Sequence, residues 1–191
     1  MHSRVDILIV ASHLFYQYGY HGTTMREIAR ALGLREASLY THIKSKEEIL
    51  WEIIRRVSNL FLARARAVPQ HCSPEEQMRL LVRGHFAVIA HEEHATTVFF
   101  HEWAYLSATL RAAARVKREA YEGYFRRVIE QGAQQGVFQI ADTRLASLCV
   151  LSALNWSYQW LGQVDCSDVE HLADSYTILL LRLLKGGEMF G

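Results

Sequence analysis

Apolar residues recur at helical spacing along almost the whole chain. Ile7, Ala11, Leu14, Phe15 and Tyr18 fall at i, i+4, i+7, i+8 and i+11, one face of a first helix that Gly19 is expected to end. Thr24 stands as the cap of a second helix, with Glu27 three residues on completing a capping box, and Leu32-Gly33-Leu34 closes that helix after barely two turns. A third short helix is expected over 36–42. Ser45 then caps a long one whose buried stripe reads Leu50, Ile53, Ile54, Val57 and Phe61. Pro69 and Pro74 mark the obvious linker. Beyond them the pattern predicts helices near 75–91, 95–104, 108–135, 143–161 and 168–185, with breaks at 91–95, 132–136 and 162–167. No stretch shows the period-two alternation of a strand, so the expected fold is all-α. In the last segment Leu172, Tyr176, Leu179, Leu180 and Leu183 keep helical spacing, while Ile178 and Leu181 make its other faces apolar too. Such a helix must be covered on most sides, by its own chain or by a second copy.

Composition narrows the class. The chain has 191 residues, 50% hydrophobic and 21% charged, enough for one ordinary domain or two small units sharing a core. Two prolines and eleven glycines leave little material for a disordered tail or a turn-dense, strand-rich fold. The three cysteines, Cys72, Cys149 and Cys166, include no close pair, which argues against a disulfide framework and a zinc ribbon. With polar residues throughout the first twenty positions no signal peptide is expected, and the longest apolar stretches, 7–11 and 86–90, are far short of a membrane span. The expectation is a soluble, cytoplasmic protein. Its net charge is only +1, but residues 1–46 hold six Lys/Arg against three Asp/Glu, and residues 47–191 hold fifteen against seventeen. A small basic head on a mildly acidic body points to a polyanion partner at the N-terminus.

The informative stretch is 23–50. It reads as two short helices joined by a tight turn at Gly33, with Ala29 small enough for a close crossing and Ile28, Leu34 and Leu39 as a miniature core. Such a unit presents the start of its second helix outward, where it fits a DNA major groove. Arg35, Glu36, Ser38 and Thr41 fall on the exposed face, and Tyr40, His42 and Lys46 lie where they can donate to phosphate oxygens.

These residues closely resemble the tetracycline-repressor (TetR) family of transcriptional regulators. The family's pattern stands here as Thr24, Ile28-Ala29, Gly33, Leu39-Tyr40, His42 and Lys46-Glu47, with Phe15 and Gly19 matching the end of its first helix. The resemblance covers about residues 4–55. It implies a three-helix, helix-turn-helix DNA-binding domain over 1–46 and a larger helical ligand-binding and dimerisation domain over 47–191. It also implies that Thr24, Tyr40, His42 and Lys46 contact phosphates while residues from Arg35 to Thr41 read base edges. Two positions depart from the family pattern. Arg35 replaces the usual small N-cap, forfeiting a bond worth about 1 kcal/mol, and Ala37 stands where a glycine is frequent.

The body carries a second, more partial resemblance. Phe99-Phe100-His101-Glu102-Trp103, the tract Lys117-Arg118-Glu119-Ala120-Tyr121-Glu122, and Asn155-Trp156-Ser157-Tyr158-Gln159-Trp160 are similar to family members that sense acyl-coenzyme A thioesters and repress degradation of fatty acids, aromatic acids or sterols. Leu161-Gly162 stands where many of those relatives carry a tyrosine and a basic residue. Such an effector needs an apolar tunnel and, near its mouth, positive charge for phosphates. Trp103, Tyr105, Phe125, Trp156 and Trp160 are candidates for the first, Arg111, Arg115, Lys117 and Arg118 for the second, and Tyr121 and Asn155 are further ligand-binding candidates. Plain core packing accounts for any one of these aromatics and a solvated helix face for any one of the cations; the conjunction is what points to a ligand. A coenzyme-free hydrophobic compound or drug remains open as the effector, as does an acyl-coenzyme A-processing enzyme.

Other chemistry finds little support. His91, His94 and His101 would share one third of a helix's circumference near Glu102, but a helix break around 93–95 destroys that alignment, so no metal site is expected. There is no nucleophile–base pair, phosphate-cradling glycine loop or zinc-protease motif, and adjacent Glu92 and Glu93 point in different directions on a helix. Neither catalysis nor a bound cofactor is expected. The expected partners are operator DNA, a second copy of the chain and a small effector. Segments 143–161 and 168–185 of two chains would form the dimer contact, with Leu180 in it.

Overall fold

The computed structural model describes residues 3–162, 164–165 and 168–186, and every regular element among them is helical. In chain order these are α1 (Arg4–Gly22), α2 (Met25–Ala31), α3 (Glu36–Tyr40), α4 (Lys46–Arg66), α5 (Pro74–His91) and α6 (Glu93–His101). A single 3-10 turn (Glu102–Tyr105) leads into α7 (Ala108–Gln134), α8 (Thr143–Trp156), α9 (Tyr158–Leu161) and α10 (Val169–Lys185). The chain divides into two compact units, Met1–Asn59 with Glu92–Val116, and Leu60–His91 with Lys117–Gly191.

In the first unit, α1 starts at a capping box: Ser3 Oγ accepts from Asp6 N at 3.2 Å, and Asp6 Oδ2 accepts from Ser3 N at 2.7 Å. Ile7, Leu8, Ala11 and Phe15 form its buried stripe, but Tyr18, expected on that stripe, is exposed. The reason is Gly19. Its φ of 73° and ψ of 164° kink the chain, after which one further turn runs to Gly22, so the helix bends at Gly19 where the sequence predicted it to stop. Thr23, buried behind the kink, donates its hydroxyl to the carbonyls of Gly19 (3.0 Å) and Leu14 (3.2 Å), tying the two sides of the bend together. Ile28, Ala29, Leu39, Ile43, Ile49, Leu50 and Ile53 close the core beneath α2, α3 and the start of α4, while Leu34 is only half-buried.

Segment 92–116 packs into this same unit. The Arg56 guanidinium binds both Glu92 carboxylate oxygens, at 2.7 and 2.5 Å, and Glu47 at the start of α4 accepts from Ser107 N at 2.6 Å. The expected helix over 95–104 is α6 plus the tighter 3-10 turn. The break between α5 and α6 falls at Glu92, whose φ and ψ are non-helical.

The second unit is built on α5 and α10. Arg83 grips Asp174 with a two-pronged contact, Nε donating to Oδ1 at 2.6 Å and the terminal nitrogen to Oδ2, and Lys185 Nζ meets Glu75 at 3.1 Å. The contact holds the Asp174 carboxyl below its usual range, and partial exposure limits such a pair to about 1 kcal/mol. Met78, Val82, Phe86, Ile89, Phe125, Ile129, Val150, Leu154, Ala173 and Leu184 fill the interior. The predicted helix over 143–161 is interrupted at Ser157, giving α8 and α9. In α10, Leu180 is 5% exposed whereas Leu179 is 61% exposed, so Leu180 belongs to the chain's own core and not to an outward face. The outward apolar residues are Ile178, Leu179 and Leu183 on α10 and Leu145, Leu148 and Trp156 on α8. Cys72 and Cys149 are free thiols; Cys166, and the part of the expected 162–167 break at residues 163, 166 and 167, lie outside the described residues. No described helix is long and apolar enough to cross a membrane.

Candidate functional site

The α2–turn–α3 segment is built by local rules. Thr24 caps α2 as its sequence predicts: its hydroxyl accepts from Glu27 N at 3.2 Å and donates to Glu27 Oε2 at 2.8 Å, while that carboxylate accepts from Thr24 N at 2.7 Å. These bonds, the side-chain one first, hold the Glu27 carboxyl below its ordinary range. Gly33 turns the chain with a φ of 66°, and Leu34 N returns to the Ala29 carbonyl at 2.8 Å. Arg35 then starts α3 without a side-chain cap bond. Leu39 is wholly buried and fixes the helix from beneath, so Arg35, Glu36, Ser38, Tyr40, Thr41 and His42 are all exposed together. Thr41 Oγ1 donates to the Ser38 carbonyl at 2.7 Å, and the His42 carbonyl accepts from Arg4 at 3.2 Å.

Lys46 does more than its spacing in the sequence predicts. Its ammonium donates to the carbonyls of Tyr20 and Thr23, both at 2.7 Å, and lies 4.3 Å from the centre of the Tyr20 ring. Burial draws its pKa below the usual lysine value. Two of three N–H donors thus hold the end of α1 to the start of α4, and one remains for a partner outside.

The eleven residues expected to line a ligand site fall in both units. Trp103, Tyr105, Arg111 and Arg115 belong to the first. There Tyr105 stacks on Tyr20 at 5.6 Å and meets His21 edge-on at 4.3 Å, and Arg111 reaches the Ala104 carbonyl at 3.4 Å. Lys117, Arg118, Tyr121, Phe125, Asn155, Trp156 and Trp160 belong to the second. Tyr121 and the fully buried Phe125 meet edge-on at 5.4 Å, and Trp160 packs on Phe86 (6.0 Å) and Tyr176 (6.2 Å). Crowding by protein lowers the Arg118 pKa even though the residue as a whole is exposed. Trp156 does not join the interior group: it is 64% exposed, on the outward face with Leu145 and Leu148. The three histidines do not converge either. His94 packs against His13 and Tyr16, His91 Nδ1 pairs with the Ala87 carbonyl, and among the described residues no group of three metal-ligating side chains forms.

The second unit also holds a polar cluster that sequence reasoning did not find. His85 is fully buried with Nδ1 at 3.0 Å from the Tyr121 hydroxyl, and Phe61 lies against both rings at 4.8 and 5.2 Å. Burial pushes the His85 pKa down to about 3, against the opposing pull of the Leu154 carbonyl, and burial raises that of Tyr121. Both are neutral near pH 7. A single histidine on an apolar helix face gives no sequence signal by itself. Spacing could not have found its partner thirty-six residues away.

Two family models match the chain: "Bacterial regulatory proteins, tetR family" over residues 7–53, and "Tetracyclin repressor-like, C-terminal domain" over 71–184. The chain belongs to the TetR family. As a TetR-family protein it is a DNA-binding transcriptional regulator and not an enzyme, and its helix-turn-helix is the part that meets operator DNA. It is 30% identical to the transcriptional repressor KstR2 of Mycobacterium tuberculosis over 71% of this chain and 69% of the relative. Among solved structures it is similar to the TetR-family regulator PfmR of Thermus thermophilus, with TM-score 0.86 and 32% identity over 94% of this chain and 98% of the other. It is also similar to AibR, solved in complex with isovaleryl coenzyme A and operator DNA, with TM-score 0.81 and 27% identity over 93% of this chain and 97% of the other. In this TetR-family protein the residues from Arg35 to His42 lie within the matched segment 7–53.

Proposed function

We propose that this protein is a homodimeric, cytoplasmic repressor released from its operator by a small hydrophobic effector, an acyl-coenzyme A thioester. The observation that carries the effector class is the likeness, over nearly the whole chain, to a regulator solved with both an acyl-coenzyme A and operator DNA. The aromatic residues Tyr121, Phe125 and Trp160 suit an acyl chain, and Arg111, Arg115, Lys117 and Arg118 suit the coenzyme's phosphates. On the DNA side, Tyr40, His42, Thr24 and the free N–H of Lys46 serve phosphates, and Arg35, Glu36, Ser38 and Thr41 serve base edges. Functionally, residues 1–46 meet DNA and residues 47–191 handle effector and dimer.

Dimerisation rests on the outward apolar face of α8 and α10, since paired heads must reach major grooves about 34 Å or more apart. Release requires effector binding to change the spacing or freedom of the heads. Helices α4 and α7 are the levers: each begins in the first unit and ends in the second, and within the first Glu47 of α4 bonds the residue preceding α7. A full reversal from 99:1 bound to 99:1 free asks for about 5.5 kcal/mol of differential affinity. The test uses operator fragments selected from genomic DNA by the purified protein. The Arg115→Ala, Arg118→Ala double variant should bind them as the parent does, yet need at least tenfold more octanoyl-coenzyme A for release, about 1.4 kcal/mol or more. Unchanged release, or failure of short, long and aromatic thioesters on the parent protein, removes the coenzyme assignment. A coenzyme-free hydrophobic effector is then the reading that stands.

A further inference from the structure

Several buried hydroxyls in this chain are satisfied by a repeated device. Ser12, Ser58, Thr96 and Thr177 each donate to the carbonyl four residues back, at 2.8, 2.8, 3.0 and 2.7 Å. Ser157 breaks the pattern. The carbonyl four residues before it, Ala153, is taken by the Tyr176 hydroxyl at 2.9 Å, and the fully buried Ser157 Oγ has no partner. Among the described residues, one other buried side-chain polar atom is in the same state: Nε2 of His85. The two residues share a backbone neighbour, Leu154. The Leu154 carbonyl acts on the His85 ring and also accepts from Ser157 N at 3.0 Å.

The tautomer follows from these neighbours. The Tyr121 hydroxyl, 3.0 Å from Nδ1, donates to it, which leaves the ring proton on Nε2. Nε2–H nevertheless completes no hydrogen bond, and Ser157 supplies a second, rotatable donor on the turn where α8 gives way to α9. Buried polar atoms without partners are uncommon in folded proteins, and a pair of them at a helix break marks a place for a missing acceptor.

We propose that His85 and Ser157, with Tyr121 orienting the His85 ring, form a donor pair that takes an uncharged carbonyl oxygen of a bound hydrophobic ligand. This rests on the reading that residues 47–191 handle the effector, and it adds the effector's polar chemistry. The pair suits a thioester, ester or ketone. It disfavours a free carboxylate, whose charge would be buried with a histidine that stays neutral. The site therefore distinguishes an activated acyl group from the free acid released on its hydrolysis.

The experiment uses the full chain and four probes: methyl hexyl ketone, its analogue with a methylene in place of the oxygen, octanoate, and octanoyl-coenzyme A. Binding is followed by tryptophan fluorescence and calorimetry in the parent, Ser157→Ala and His85→Phe proteins, with circular dichroism as the fold control. The parent should prefer the ketone to its methylene analogue by about tenfold and should bind octanoate no better than that analogue. Each variant should bring the ketone preference close to one while still binding the methylene analogue. Nitrogen NMR of histidine-labelled parent protein should show the His85 Nε2 signal moving with the ketone and not with the analogue. Equal binding of ketone and analogue, or a preference that survives both substitutions, overturns the proposal. The octanoyl-coenzyme A arm separates the two ideas. Release of operator by the thioester without carbonyl discrimination sinks this proposal alone, and carbonyl discrimination without release by the thioester sinks the effector reading alone.

Discussion

Leu179 and Leu180 are neighbours in sequence and opposites in role, and replacing each by aspartate separates dimer from core. Leu179 is 61% exposed, beside Leu183 at 59% and Ile178 at 53%, with Leu145 at 58%, Leu148 at 43% and Trp156 at 64% on α8. Burying the exposed half of such a side chain recovers about 1 kcal/mol. Six per chain, doubled by a two-fold axis, give on the order of 10 kcal/mol before the cost of association. Leu179→Asp removes about 1 kcal/mol from each chain and buries a carboxylate facing apolar neighbours, at about 1–3 kcal/mol apiece. The dimer should weaken by about 4 kcal/mol or more, roughly a thousandfold in Kd, while helix content and monomer fold persist. Leu180→Asp instead puts a charge into the core at a site 5% exposed, and should cost more than about 4 kcal/mol of folding stability. Sedimentation velocity at micromolar protein, paired with circular dichroism, reads both outcomes. An intact Leu179→Asp dimer, or a fully folded monomeric Leu180→Asp protein, refutes the assignment of faces.

Two further outcomes follow from the site geometry. Lys46→Met keeps the aliphatic stem but removes two charge-assisted bonds to the Tyr20 and Thr23 carbonyls, and should lower unfolding stability by about 2 kcal/mol in urea titrations; it should also reduce the salt slope of operator binding by about one, and an unchanged slope takes Lys46 off the phosphates. His85, with its pKa lowered from 6.5 to about 3, binds its proton in the unfolded chain first, so stability should fall as pH drops below 6.5, by about 2 kcal/mol at pH 5; His85→Phe should flatten that limb, and an identical pH profile in the variant contradicts the burial.

The DNA-binding head was legible in the sequence because its rules are local. A cap and its glutamate lie three residues apart, a glycine makes the turn, and a single buried leucine leaves the flanking polar residues no direction but outward. What depends on distant partners was not legible. An α10 helix apolar on most faces carries no minority pattern to tell Leu179 from Leu180, and only packing against α5 decides. Trp156 resembles an interior aromatic, and only its place on the α8 face shared with exposed Leu145 and Leu148 turns it outward. Segment 92–116 joins the first unit through Glu92 and Ser107, whose partners Arg56 and Glu47 lie thirty-six and sixty residues away. Lys46 reads as a phosphate contact because its bonds to backbone carbonyls leave no trace in side-chain pattern. His85 and Ser157 escape notice for a related reason: each is ordinary alone, and only the theft of the Ala153 carbonyl by Tyr176 makes the pair conspicuous.

Competition between effector and operator through one coupled molecule has a direct thermodynamic signature. Operator affinity is measured by fluorescence anisotropy with and without saturating octanoyl-coenzyme A, and thioester affinity by calorimetry with and without operator. Linkage requires the two ratios to be equal. Each ligand should weaken the other by the same factor, tenfold or more. A thioester that binds the protein yet leaves operator affinity unchanged would contradict it.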